Sequence, residues 1–186
     1  AAGMYNTLIE SDEPALVVEC LNGYRSKEPK PTNLGEFRVP LGVPEVIREG
    51  TDITVVSYGS TFNLCKEAAV QLTEIGIDVE LVDVQTLLPF DIHGIVAKSV
   101  AKTNRVIFID EDVPGGASAF MLDQVVNKQG AWSSLDSQPV TLTSKPHLPA
   151  YGTDGDYFSK PNIEDIIEAI YKLMHEADPQ QYPSLF

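Results

Sequence analysis

Three acidic residues followed by a pair of glycines form the most distinctive polar stretch of this 186-residue chain. Asp110-Glu111-Asp112 comes shortly before Gly115-Gly116, which the pattern places at the start of a helix. Glycines at a helix start can bind phosphate through free backbone N–H groups, but three preceding carboxylates would repel an anion. A metal site on the acids is possible, although consecutive residues at a strand end point in different directions. We expect instead that the acids cap the helix and contribute to an interface.

Other polar residues are predicted where neighbouring strands end. Tyr58-Gly59-Ser60 lacks the glycine spacing of a dinucleotide-binding loop and is typical of a tight strand-to-helix turn, with Ser60 or Thr61 as N-cap. His147, in a loop, is the only histidine that we consider for a site. No serine or cysteine lies in a nucleophile motif, so no catalytic, cofactor-binding or metal-binding residue is predicted. The candidate rim and interface residues are Tyr58, Ser60, Gln85, Asp110, Glu111, Asp112 and His147.

The elements that must position these residues alternate between strands and helices from Glu45 onward. Their order, β-β-α-β-α-β-α-β-α, predicts an α/β fold with three αβα layers: a mostly parallel five-stranded sheet with helices on both faces. Asp91 is expected to N-cap one helix, and residues 115–129 are expected to form another. In such a sheet ligands bind beyond the carboxyl ends of the strands, where the candidate residues gather.

The chain divides into three predicted segments. Residues 1–20 are interpreted as the tail of a preceding domain, because the amphipathic pattern of Ala1–Ile9 has no N-cap and is followed by a predicted strand, Ala15–Cys20. Residues 21–44 are rich in proline and glycine and are interpreted as a linker, and residues 45–186 as the main domain. A longer parent protein is therefore expected.

The composition narrows the classes of partner. The formal net charge is −14, which argues against nucleic acid or an anionic membrane surface as the main partner, because phosphate contacts need clusters of Lys and Arg. The charge either simply favours solubility or marks an acidic face that docks a basic partner. No apolar stretch is long enough to span a membrane. Cys20 and Cys65 are expected to be buried thiols of a reduced, cytoplasmic protein.

Four segments carry a resemblance to a known family. DITVVSYGS, EAAVQLTEIGIDVELVDVQTLLPFD, VAKTNRVIFIDED and PGGASAFM resemble, in order and spacing, the C-terminal domain of the β part of thiamine-diphosphate-dependent 2-oxo acid dehydrogenases, of the branched-chain (2-oxoisovalerate) or pyruvate type. This is the transketolase C-terminal domain. The strongest match is Val82–Asp91, and the resemblance covers nearly the whole chain. It implies that residues 1–20 end a pyrimidine-binding domain.

The resemblance implies a function for the parent protein. The family oxidatively decarboxylates a 2-oxo acid and passes the acyl group to a lipoyl partner, with thiamine diphosphate and Mg²⁺ held by the preceding domains. The implied partners are the E1 α part or fused N-terminal domains, a second E1 β copy and the lipoyl acyltransferase (E2) core. The C-terminal domain builds subunit interfaces and offers a docking surface. The chain alone is expected to bind no thiamine diphosphate and to be inactive.

Three departures from the family pattern affect the candidate residues. Asp110 stands where many members have histidine, Gln85 replaces the usual arginine, and Phe120 stands at an acidic helix position. The first two changes make the predicted rim more acidic, which would suit a basic docking partner. Two other functions stay open: the C-terminal domain of a transketolase or 1-deoxyxylulose-5-phosphate synthase, and a stand-alone, non-catalytic interaction domain.

Overall fold

The computed structural model of the chain describes residues 1–25, 27, 29–152 and 154–184. Its strands are β1 (Glu45–Arg48), β2 (Ile53–Ser57), β3 (Val79–Asp83), β4 (Val106–Ile109) and β5 (Val140–Leu142). Its α-helices are α1 (Ala2–Ile9), α2 (Gly59–Glu74), α3 (Ile95–Thr103), α4 (Ala117–Leu122), α5 (Gly155–Ser159) and α6 (Ile163–Ala177). Short 3-10 helices span Leu21–Arg25 and Ala131–Ser134, and a π-helical segment, Asp123–Lys128, continues α4.

The five strands form one sheet in the order β1-β3-β2-β4-β5. Strands β2, β3, β4 and β5 are parallel, whereas β1 pairs antiparallel with β3 at one edge. Chain order reverses at β2, which lies between β3 and β4. In open α/β sheets this reversal creates a crevice at the carboxyl ends of the strands.

Two apolar clusters cover the two faces of the sheet. On one face α2 and α6 pack through residues such as Phe62, Leu72 and Ile166, and on the other α3 and α4 contribute Val96 and Met121. The predicted three-layer αβα fold with a mostly parallel five-stranded sheet is therefore confirmed. In the described part of the chain, no helix is long and apolar enough to cross a membrane.

Local signals in the sequence set several helix ends. Gly76, with φ of +82°, follows α2; its N–H donates to Thr73 and that of Ile77 to Leu72, so the last carbonyls are satisfied. Asn162 caps α6, because its side chain accepts from the Asp165 N–H and the Asp165 carboxylate accepts from the Asn162 N–H. The C-terminal end of α2 and the N-terminal end of α6 are thus fixed by local hydrogen bonds, and Gly76 and Asn162 are residue types that favour them.

The predicted first strand is wrong. Residues 15–20 form no strand, and Leu16 and Val18 are 91% and 83% exposed. A strand needs a neighbour for its backbone hydrogen bonds, and none lies beside this segment among the described residues. Cys20 is consequently half-exposed rather than buried, whereas Cys65 is buried in α2, where burial raises its pKa to about 12.

Two helices differ from the sequence expectation. Gly94, not Asp91, is the N-cap residue of α3, because Asp91 adopts a φ of +33° and a turn intervenes. The Asp91 carboxylate still accepts the N–H groups of Ile95 and Val96, at 2.7 and 2.9 Å. The helix expected over residues 115–129 begins as α4 and widens into the π-helical segment.

A buried carboxylate, paired with a partly exposed lysine, joins the turn before β2 to the sheet. Glu80 on β3 is 1% exposed; its carboxylate pairs with Lys102 of α3 and accepts the Gly50 N–H at 3.3 Å. Lys102 also pairs with the exposed Glu49. A buried carboxylate needs this compensation, so the turn, β3 and α3 are coupled through one charge.

Gly50→Ala is expected to lower the free energy of unfolding by about 2 kcal/mol or more, because a Cβ there would lie 2.3 Å from backbone atoms of Glu80 and Val79. Gly35→Ala is the control, since a Cβ at Gly35 meets nothing within 4 Å. Urea unfolding of both variants measures the difference. Equal stability would show that the turn before β2 can move away from β3.

Candidate functional site at the carboxyl ends of the strands

Four chain segments meet at the carboxyl-end rim of the sheet, defined here as residues 58–60, 85–87, 110–112 and 144–147. Each follows a parallel strand, so the alternating fold alone brings them to one edge. Tyr58 lies near the three acids, whose charges act on its hydroxyl. The rim therefore unites Tyr58 with Asp110, Glu111 and Asp112.

Asp110 is buried and binds backbone N–H groups of its own chain. It is 1% exposed, and its Oδ2 accepts the N–H of Ser118, in the first turn of α4, at 2.5 Å. Its Oδ1 accepts the Asp112 N–H at 3.2 Å. Burial raises the pKa of this carboxyl, and these two backbone hydrogen bonds oppose the rise. The expected capping role of the acids thus applies to Asp110, although Gly116 is the N-cap residue itself.

Glu111 and Asp112 point elsewhere and are exposed. Glu111 pairs with Lys160 at 3.1 Å, and Asp112 accepts the Val113 N–H at 2.8 Å. The Asp112 carboxylate also covers Gly116, where an added Cβ would lie 2.1 Å from Oδ2. Within the described ranges, no group of three or more His, Cys, Asp or Glu side chains is placed to hold a metal ion.

Tyr58 lies at the crevice between β2 and β4. It is half-buried, and burial followed by the charges of Asp110 and Asp112 raises its pKa to about 12. The Sγ of Cys20 lies 3.1 Å from the position of a Cβ on Gly59, the first residue of α2. The thiol of Cys20 therefore lies beside the start of this helix.

Gln85 belongs to the other side of the rim. It adopts a φ of +60°, and its Nε2 donates to Glu45 at 2.9 Å. Its N–H donates to Asp83 at 3.3 Å. Burial, and less so the Glu45 charge, raises the Asp83 pKa; the Gln85 N–H, Lys66 and the amino terminus oppose this. The side-chain amide of Gln85 thus binds the Glu45 carboxylate of β1, while its backbone N–H binds the Asp83 carboxylate of β3.

Ser60 and His147 take no part in these contacts. The predicted N-cap role of Ser60 or Thr61 is wrong, because α2 already begins at Gly59 and Tyr58 is its N-cap residue, with no side-chain hydrogen bond. His147 is exposed, with Nδ1 2.8 Å from the Leu148 carbonyl oxygen and its ring 5.9 Å from that of Phe158. Histidine and acids are therefore not joined in a catalytic constellation.

Neither Lys145, in the rim, nor Lys160, directly after α5, was among the predicted site residues. Lys160 pairs with Glu111, and Lys145 Nζ lies 3.5 Å from the centre of the Phe158 ring. Lys160 also lies 3.7 Å from Asp156, four residues earlier. The sequence alone suggests the Lys160–Asp156 pair, because the two residues are four positions apart. The Lys160–Glu111 pair depends on the packing of α5. The rim is consequently less acidic than its own residues suggest.

The chain is an αβα domain with four parallel strands and one antiparallel edge strand, β1. The polar groups of its rim are engaged in helix capping and ion pairs. The family "Transketolase, C-terminal domain" matches residues 42–158. The chain belongs to this family.

The curated relatives are longer proteins. The chain is 29% identical over 91% of its length to the pyruvate dehydrogenase E1 component subunit beta of Rhizobium meliloti, covering 36% of that protein. It is 30% identical over 94% to the subunit of the same name from Mesostigma viride, covering 52%. It is 35% identical over 80% to the beta subunit of a Bacillus subtilis acetoin:2,6-dichlorophenolindophenol oxidoreductase, covering 42%. The chain thus spans about a third to a half of these relatives.

A solved structure shows the same fold. A split-gene transketolase in an inactive beta4 tetramer superposes with a TM-score of 0.62 at 22% identity, over 75% of this chain and 44% of that one. At this identity the likeness concerns the fold alone.

Asp110→Ala is expected to lower the free energy of unfolding by about 1–3 kcal/mol, because the buried Ser118 N–H loses its acceptor. Asp112→Ala is the matched control and should change the stability by less than about 0.5 kcal/mol, since Asp112 is exposed. Chemical denaturation of both variants gives the comparison. Equal losses would contradict the capping role of Asp110.

Asp83→Asn is expected to flatten part of the pH dependence of stability. The folded-state pKa of Asp83 is raised, so the folded chain binds more protons than the unfolded chain between the ordinary and the raised pKa. Wild-type stability therefore falls as pH rises through that window, and the variant, which keeps an oxygen for the Gln85 N–H, escapes this loss.

Denaturation curves over a range of acid to neutral pH test this expectation. The variant should gain stability relative to the wild type with rising pH and keep the gain at neutral pH. Asp12→Asn, at an exposed position, is the control. A constant difference in stability between Asp83→Asn and the wild type at all pH values would contradict a raised Asp83 pKa.

Proposed function

We propose that this chain is the C-terminal part of the β subunit of a 2-oxo acid dehydrogenase E1 component, and that it serves assembly and docking. The observation that carries the proposal is the alignment with pyruvate dehydrogenase E1 β subunits, which extends over 91–94% of this chain. The matched region covers only 36–52% of those proteins, so the remaining machinery belongs to other parts of the enzyme. In the parent enzyme a 2-oxo acid is oxidatively decarboxylated and its acyl group passes to a lipoyl partner.

The rim of this chain does not fit thiamine diphosphate. A diphosphate would need the free N–H groups at the start of α4, but Asp110 already accepts the Ser118 N–H there, and Asp112 covers Gly116. These carboxylates would repel a further anion. We therefore assign thiamine diphosphate and its Mg²⁺ to other parts of the parent, and we derive no catalytic step from the residues of this chain.

The proposed partners follow from the same assignment. They are the E1 α part or fused N-terminal domains, a second β copy and the lipoyl acyltransferase core. The net charge of −14 favours a basic partner for docking. At the rim, the exposed Glu111 and Asp112 lie beside Val113, which is 49% exposed, so a carboxylate pair and an apolar contact are available together. The Glu111–Lys160 pair limits, but does not cancel, the charge there.

We further propose a substrate class and a cellular location for the parent protein. A branched-chain 2-oxo acid is proposed from the motif resemblance, whereas the relatives are named for pyruvate and, at 35% identity, for acetoin. Assay of the parent enzyme with pyruvate, a branched-chain 2-oxo acid and acetoin distinguishes these substrates. A cytoplasmic location is part of the same proposal.

Calorimetric titration of the chain with the basic subunit-binding domain of a cognate acyltransferase tests the docking role. We expect binding that weakens about tenfold or more between low salt and about 0.5 M salt, because exposed charge pairs are screened. Removing the rim charges in Glu111→Gln/Asp112→Asn should weaken binding at low salt.

The matched control is Asp12→Asn/Glu13→Gln, which also removes two exposed carboxylates but leaves the rim intact. Salt-insensitive binding, or equal weakening in the two double variants, would contradict docking at the rim. Absence of binding at both salt concentrations would leave this chain a role in E1 self-assembly alone.

A further inference from the structure

The helix layer on one face of the sheet stops short of the edge strand β1. The apolar cluster formed by α2 and α6 includes Val140 and Leu142 of β5 at one edge of the sheet, but in the described part of the chain it includes no residue of β1 at the other edge. Val46 of β1 packs into the cluster on the opposite face, so the next residue, Ile47, points to the α2 side, where it is 44% exposed. This chain therefore leaves open the position beside α2 and above β1.

An open groove of about 520 Å³ lies at this position. Its apolar lining comes from Ile47, from Leu81 of β3 and from Val70 of α2, which is 64% exposed. Arg48 also lines the groove and is held in place, because its guanidinium donates to the Thr73 hydroxyl at 2.9 Å. None of these residues belongs to the carboxyl-end rim, so the groove is an apolar surface separate from it.

Two exposed charges of opposite sign lie in the lining of this groove. Lys66 and Glu74 are the ends of its α2 side, which spans residues 66–74 and is therefore about 12 Å long. Within the described ranges, neither side chain forms a salt bridge. Val70 lies between them, four positions from each and on the same side of the helix. Helix α2 thus presents a cation, an apolar centre and a carboxylate in that order.

A helix fits this position better than an added strand does. The pairing of β1 with β3 shifts its register between Val46 and Arg48, and such a bulge twists an edge strand away from further pairing. The groove instead lies on the face of the sheet alongside α2, where an αβα fold packs its helices. A helix placed there would bury its apolar side against Ile47 and Val70 and would extend the layer of α2 and α6.

We propose that this groove binds an amphipathic helix of a partner protein. The partner helix carries an acidic residue that faces Lys66, apolar residues that cover Val70 and Ile47, and a basic residue that faces Glu74. Acids stabilise the first turn of a helix and bases the last, so a helix with this order of charges runs parallel to α2. Burial of apolar surface supplies the affinity, and the two charge pairs fix the direction. This docking does not depend on the docking proposed at the rim.

The first test measures whether the groove is free in the parent protein. Val70→Cys is made both in the 186-residue chain and in the full-length parent assembly, and each is treated with a bulky maleimide under the same conditions. Mass spectrometry then measures the rate of modification at position 70. We expect similar rates in the two, because the groove is kept for a separate partner. Protection of position 70 in the parent would show that another part of the parent covers the groove, and would overturn the proposal.

The second test selects ligands for the 186-residue chain from a displayed library of amphipathic helical peptides of about 15 residues. The enriched peptides are expected to carry an acidic residue, apolar residues and a basic residue in that order. Val70→Asp should weaken their binding about tenfold or more, because a carboxylate would enter the apolar contact. Leu148→Asp is the matched control, since Leu148 is 92% exposed and lies outside the groove, and circular dichroism verifies that each variant is folded.

Lys66→Glu tests the order of charges with the same enriched peptides. It should weaken their binding about two- to fivefold at low salt, because an exposed charge pair is replaced by a repulsion. Lys172→Glu, at an exposed position of α6, is the control and should leave the binding unchanged. A library without enrichment, enriched peptides without this charge order, equal effects of Val70→Asp and Leu148→Asp, or equal effects of the two lysine variants would each overturn the proposal.

Discussion

The central strands β2 and β4 are buried on both faces, and the other elements follow from the need to cover them. Burying both faces of a parallel strand requires that each crossover place a helix on one side or the other. Helices α2 and α6 therefore cover one face, and α3 and α4 the other. The same crossovers bring the carboxyl ends of the strands to one edge, so the position of the rim is a by-product of core formation.

At that rim, several polar side chains are engaged in contacts within the chain. Asp110 satisfies the start of α4, Gln85 bridges Glu45 and Asp83, and Glu111 pairs with Lys160. Groups that are engaged in holding the fold together are poor candidates for chemistry, since moving them costs stability. These engaged groups support the proposal that the chain contributes surfaces to a larger protein.

The fold could be predicted because its signals are local. The continuously apolar β4, Gly76 after α2 and the Asn162–Asp165 capping box each carry their structure in a few neighbouring residues. The predicted strand at Ala15–Cys20 failed because a strand depends on a partner that its own residues do not reveal. The Lys160–Glu111 pair was missed for the same reason: it joins residues 49 positions apart, and only the packed structure brings them together.

The two residues of the Glu80–Lys102 pair differ in how well the chain tolerates their substitution. Losing Lys102 alone would leave a carboxylate that is 1% exposed without its cation, whereas losing Glu80 first leaves a lysine that is 40% exposed and can turn to water. The permitted mutational path is therefore directional: the acid must become neutral before the base is replaced. Gly50, pressed against β3, constrains the same path, because a larger residue there would displace the backbone beside Glu80. Gly50, Glu80 and Lys102, distant in the sequence, are thus coupled by contact, and the cost of replacing either charged residue depends on whether its partner can reach solvent.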